Sequence, residues 1–116
     1  QEDLLKLAPD VILIDSNPAA LFDNPAWQAI RAVRDRRVYK MPRHNAYNQP
    51  LDLTLVAVWI AAVLHPDATH GKLLDAARSL YMKTFGRAPN DSQLRRLFEA
   101  DANQYSRSYP MLLGAP

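Results

Sequence analysis

Arginine, histidine and tyrosine are gathered with carboxamides into one short stretch of this chain, Arg43-His44-Asn45-Ala46-Tyr47-Asn48-Gln49. The types present define the chemistry on offer. A guanidinium pairs with a carboxylate through two parallel hydrogen bonds, and imidazole and phenol are the kinds of group that serve as axial ligands to haem iron. His44 or Tyr47 is an alternative axial ligand of that kind, but one candidate from one loop is weak evidence, and neither is assigned to a metal. His65 and His70 lie five residues apart around Pro66 and do not share a helix face. With 0 cysteines, disulfides, thiolate metal sites and cysteine nucleophiles are excluded. There is no serine-centred nucleophile elbow and no paired carboxylate, and Asp15, Asp23, Asp67, Asp91 and Asp101 fall at caps and turns. The expectation is a protein without catalysis and without a resident cofactor.

The elements that must position these residues follow from periodicity. Leu4, Leu5, Leu7 and Ala8 among charges predict a short helix over 2–8, ended before Pro9. Val11-Ile12-Leu13-Ile14, bounded by Pro9-Asp10 and Asp15-Ser16-Asn17-Pro18, has the pattern of a strand buried on both faces, as in a parallel sheet. Asn24 before Pro25 is a helix start, and Trp27, Ile30, Ala32 and Val33 extend it to about residue 34. Val38 to Met41 predicts a second strand stopped by Pro42, so that 43–49 is a loop at a strand end. Residues 51–64 are apolar nearly all round but too few for the roughly 20 that cross a membrane, which predicts a buried core helix ended by His65-Pro66. A helix over 71–85 carries Leu73, Leu74, Ala77, Leu80, Tyr81 and Phe85 on one stripe and stops at Gly86. The last begins at Asn90-Asp91-Ser92, carries Leu94, Leu97, Phe98 and Ala102, and trails into a loose tail. Trp59 and Trp27 are assigned to core packing. Two strands make too small a sheet to stand comfortably alone, so further sheet is expected upstream.

Composition agrees with an ordinary folded domain: of 116 residues, 48% are hydrophobic and 22% charged. A net charge of +2 is too small for a phosphate-backbone binder, so nucleic acid is not expected as a partner. Arg31, Arg34, Arg36, Arg37, Lys40 and Arg43 are interrupted by Ala32, Val33, Asp35, Val38 and Tyr39 and form a solvated helix end running into a strand. The amino terminus, Gln1-Glu2-Asp3-Leu4-Leu5, has neither the basic leader nor the apolar core of an export signal.

The order of parts resembles the end of the periplasmic binding proteins that serve iron-siderophore, haem and cobalamin ABC importers. It is carried by Glu2-Asp3-Leu4-Leu5, Leu7-Ala8-Pro9-Asp10-Val11-Ile12-Leu13, Asn24-Pro25-Ala26-Trp27-Gln28-Ala29-Ile30, and Arg37-Val38-Tyr39-Lys40-Met41-Pro42. After these come the apolar helix with Trp59 and His65-Pro66, then Leu80-Tyr81 with Phe85-Gly86. The resemblance implies an α/β fold: a parallel-sheet, three-layer, Rossmann-like lobe, helix-rich at its C-terminal end and forming part of a two-lobe binding protein. Residues 1–87 would be the C-terminal lobe and 88–116 a helical extension and tail of the same domain, longer than the family core requires. The ligand would be a ferric siderophore, haem or cobalamin held in a cleft between this lobe and an N-terminal one, then delivered to an ABC permease on the extracytoplasmic side of the membrane. The permease-docking acidic residue would lie upstream of Gln1.

The resemblance places the ligand-touching residues in two loops at strand ends, as is general for parallel sheets: Ser16 and Asn17 in the first, and Arg43, His44, Asn45, Tyr47 and Asn48 in the second. A chelate presents an apolar or aromatic rim with anionic or amide groups, which aromatic surface and a few donors would match. The second loop also reads as a polar connection with Tyr47 as a helix-entry staple. The rival class is an α/β interaction or dimerisation module, its apolar faces covered by a second copy of the chain.

Overall fold

The computed structural model describes residues 6–42, 50–69 and 71–114. The loop expected over 43–49 lies outside them, as do His70 and most of the first expected helix, of which Lys6 and Leu7 are helical. Strands β1 (Ile12–Ile14) and β2 (Val38–Lys40) form a parallel pair with Ile12 opposite Val38, Leu13 opposite Tyr39 and Ile14 opposite Lys40. The Ile12 N–H donates to the Arg37 carbonyl at 3.0 Å and the Met41 N–H to the Ile14 carbonyl at 2.9 Å, fixing the register at both ends.

Because strand side chains alternate between faces, this register makes two cores. Ile12, Ile14 and Val38 turn to one face and meet Ile30, Ala32, Val33, Leu21, Phe22 and Trp27. Val11, Leu13, Tyr39 and Met41 turn to the other, where the larger core contains Leu55, Trp59, Leu73, Leu94, Phe98 and Tyr109. Helices therefore cover both faces of the parallel sheet that the strand pattern predicts, giving the three-layer α/β arrangement that the family resemblance implies.

The crossover between the strands differs from the single helix expected over 25–34. It contains α1 (Ala19–Phe22), a 3-10 turn at Pro25–Trp27 and α2 (Arg31–Arg34). The Asn24 side chain does cap the Pro25 turn, accepting from the Ala26 N–H at 3.0 Å, as its identity predicts. The helix then breaks because Ile30 is extended (φ −86°, ψ 123°), which places its side chain, 1% exposed, in the core beside Val33 and Val38. Burial of one β-branched residue outweighs continuation of a short helix, which has little stability of its own.

Beyond β2 come α3 (Pro50–Leu64), α4 (Pro66–Thr69) and α5 (Leu73–Phe85). In α3, Leu55, Trp59, Ala62 and Val63 form the buried side and pack on Leu73, Leu74 and Ala77 of α5. Its other side is open: Leu53 is 57% and Leu64 44% exposed, so the helix is half-covered rather than enclosed as its composition predicts. α5 ends at Gly86, whose φ of 73° is the left-handed C-cap conformation that glycine adopts without a steric penalty.

Helix α6 (Asp91–Leu97) opens with a reciprocal capping box between Asn90 and Gln93. It stops short of the expected Ala102, because Glu99 takes a left-handed backbone (φ 55°) and redirects the chain. The following residues are not a loose tail. Asn103, Ser106 and Tyr109 are buried, and α7 (Tyr109–Leu112) seats Leu112 and Leu113 in the larger core. Gly71 and Gly114 pass so closely that a Cβ on Gly71 would lie 3.1 Å from the Met111 carbonyl oxygen; this approach ties α7 to the turn before α5.

Candidate functional site

In a parallel pair both carboxyl ends face the same edge, so Ser16 and Asn17 after β1 lie beside Met41 and Pro42 after β2. Ser16 and Asn17 are exposed while Pro18 and Pro42 are buried, an arrangement that roots the first loop at Pro18 and leaves its polar residues accessible. The Asn17 Oδ1 accepts from the Ala19 N–H at 2.9 Å, fastening the start of α1. Behind it, Gln28 Nε2 donates to the Phe22 carbonyl at 2.8 Å. Ser16 and Asn17 thus lie at the carboxyl end of β1, with the Asn17 carboxamide oxygen already engaged. Arg43, His44, Asn45, Tyr47 and Asn48 lie outside the described residues.

The other edge of β2 is closed by side chains. The Lys40 N–H donates to Asn103 Oδ1 at 2.7 Å, and Asn103 Nδ2 donates back to the Lys40 carbonyl at 3.0 Å. The Ser106 hydroxyl donates to the Val38 carbonyl at 2.6 Å, and the Arg107 N–H to the Arg36 carbonyl at 2.7 Å. The Lys40 ammonium meets the Glu99 carboxylate, which is 5% exposed, at 2.9 Å. In this way the segment 99–107 runs antiparallel to β2 and takes up the Lys40 N–H and the carbonyls of Val38 and Lys40, groups that a neighbouring strand would otherwise pair. Sequence reading missed Lys40, Glu99, Asn103 and Ser106; polar residues without a period, following a helix, carry no local signal of such an edge.

Beneath this edge, Trp59 Nε1–H donates to the Tyr109 hydroxyl at 2.8 Å, which in turn donates to the Phe98 carbonyl. The Tyr39 hydroxyl donates to the Arg107 carbonyl at 2.7 Å. Burial pushes the phenol of Tyr109 well above its usual range, the Trp59 hydrogen bond offsetting part of the effect. Burial raises Tyr39 too, against the opposing influence of Arg37 and Arg107. Both remain neutral donors, serving packing and register rather than proton transfer. Among the described residues no group of three or more His, Cys, Asp or Glu side chains is arranged to hold a metal, and His65 is exposed at the end of α3.

No protein-family model matches the chain, and no curated protein matches it. Solved structures do. Two solute-binding proteins share this fold. The "periplasmic solute binding protein" of Veillonella parvula DSM 2008 superposes with a TM-score of 0.71 at 22% identity, over 89% of this chain and 35% of that one. The "ABC transporter solute binding protein" of Sulfurospirillum deleyianum DSM 6946 gives 0.68 at 25% identity, over 84% of this chain and 32% of that one. The chain thus spans about a third of the length of these solute-binding proteins, and the architecture it shares with them is part of a lobe. Among the described residues no helix is long and apolar enough to cross a membrane.

Proposed function

We propose that this chain is the carboxy-terminal lobe of the extracytoplasmic binding protein of an ABC importer, and that the importer's cargo is a metal chelate: a ferric siderophore, haem or cobalamin. The observation that supports this reading most directly is the shared fold, at a TM-score of 0.71 over 89% of the chain, with the carboxyl ends of β1 and β2 opening on one edge. Ligands of parallel α/β sheets sit at such edges. The sequence resemblance to importers of metal chelates narrows the class. Exposed Ser16 and Asn17 would face the ligand, joined by Arg43, His44, Asn45, Tyr47 and Asn48.

The action is capture without chemistry. A second lobe and this one close on the chelate, and the closed form is recognised by the permease. The chelate drives closure only through its higher affinity for the closed state.

Titration of the full-length binding protein with a ferric trihydroxamate, haem and cyanocobalamin, followed by intrinsic fluorescence and calorimetry, tests the proposal. Sub-micromolar binding of one of them is expected, weakened about tenfold, or about 1.4 kcal/mol, by Tyr47→Ala or His44→Ala. Absence of binding to all three would sink the chelate assignment.

A further inference from the structure

We infer that Asn103 is a positioning residue for the ligand edge: its carboxamide replaces the peptide group of a neighbouring strand and fixes Lys40, and so the point at which the chain leaves β2. The inference rests on reading that edge as the ligand-binding one, since Lys40 is the last residue of β2 and only Met41 and Pro42 separate it from Arg43.

Three observations carry it. The Asn103 carboxamide makes two hydrogen bonds to one residue, Lys40, accepting from its N–H and donating to its carbonyl, which constrains rotation as well as position; it also lies close enough to the Tyr109 hydroxyl to favour the ionised phenol against burial. Asn103 is itself held, fully buried, with its N–H on the Glu99 carbonyl and its carbonyl accepting from the Ser106 N–H, each at 3.0 Å. The same Lys40 is gripped at its ammonium by buried Glu99. Glu99 reaches it from a left-handed backbone (φ 55°), a conformation that costs free energy in a residue with a Cβ. The turn at Glu99 thus brings a carboxylate and a carboxamide, four residues apart, onto one strand residue. Binding surfaces held in their bound geometry lose less to ordering, and a strand end fixed at backbone and side chain supplies that.

The test compares Asn103→Leu, which keeps the branching and the number of heavy atoms and removes both hydrogen bonds, with Leu80→Ala in α5, which destabilises the core and spares the β2 edge. Amide exchange is measured in full-length protein without added chelate. In Asn103→Leu the Lys40 N–H should exchange at least 100-fold faster, while those of Tyr39 and Met41, directed toward β1, change less than threefold; in Leu80→Ala all three should shift together. Affinity is then measured for whichever of ferric trihydroxamate, haem or cyanocobalamin the unmodified protein binds. Asn103→Leu should raise Kd at least tenfold and Leu80→Ala less than twofold, at a temperature where both are folded.

A Lys40 amide as protected in Asn103→Leu as in the unmodified protein overturns the inference, as does a fast Lys40 amide with unchanged Kd. If Asn103→Leu does not fold, Asn103→Asp, which keeps the acceptor and loses the donor, should raise Kd about threefold, and an unchanged Kd is again fatal. If the unmodified protein binds none of the three probes, the chelate assignment fails, and the exchange pattern alone decides whether Asn103 fixes the strand end.

Discussion

Tyr109 shows how much depends on one hydroxyl. It accepts from the Trp59 indole and donates to the Phe98 carbonyl, and its ring lies 5.9 Å from that of Tyr39. Tyr109→Phe keeps the ring and strands a buried donor and a buried acceptor together. An unsatisfied buried polar group costs about 1–3 kcal/mol, so urea unfolding of Tyr109→Phe should show a loss of at least about 2 kcal/mol, where an exposed tyrosine such as Tyr105 would lose almost nothing on the same change. The phenols also set an alkaline limit. Tyr39 and Tyr109 both have pKa values raised above 10.0 in the folded protein, so they keep protons that the unfolded chain releases above pH 10. Their contribution is fully present below that pH and is lost as pH rises beyond it. Stability measured from pH 8 to 11 should be flat and then fall, and Tyr109→Phe should flatten the fall.

The elements were legible in proportion to how local their causes are. The aliphatic run Val11–Ile14 and the stretch from Val38 to Met41 stopped by Pro42 place β1 and β2 within a residue of where they lie, because the side chains that favour a strand and the proline that ends it are neighbours in sequence; β1, expected to be buried on both faces, is only half-buried. The capping box at Asn90 and the stop at Gly86 are equally local. Replacing Asn90 by Ala should cost about 1 kcal/mol in thermal or urea unfolding, and Asn90→Ser much less, since serine also caps. The crossover was not legible: nothing near Ile30 in sequence reveals that its backbone must be extended to reach Val38. Nor was the partner of β2, because Asn103 and Ser106 act across 63 and 68 residues of chain and look, in sequence, like the polar residues of any loop. Of the candidate site, the edge was legible from strand direction, and Ser16 and Asn17 occupy it. The residues from Arg43 to Asn48 were singled out from a family resemblance, which fixes types and order but no coordinates.

At the scale of the molecule, the two sides of the sheet are finished differently. The peptide groups of Leu13 point away from β2 and make no hydrogen bond among the described residues, and α3 exposes Leu53, Ala57, Ala61 and Leu64 along one side. An open strand edge and an open apolar helix face both favour association. The 116-residue chain by itself should therefore show concentration-dependent light scattering, reduced by Leu53→Glu with Leu64→Glu; a monomer at every concentration would argue that these surfaces are covered by the chain itself. The side of β2 is the opposite case. The Lys40 N–H and the carbonyls of Val38 and Lys40 are spent on the side chains of Asn103 and Ser106, and side chains, unlike a strand, present no fresh row of donors and acceptors on their far side. A sheet that ends in this way offers no template there: no foreign strand can be added, no copy of the chain can stack on, and growth, whether productive or pathological, is confined to the flank of β1.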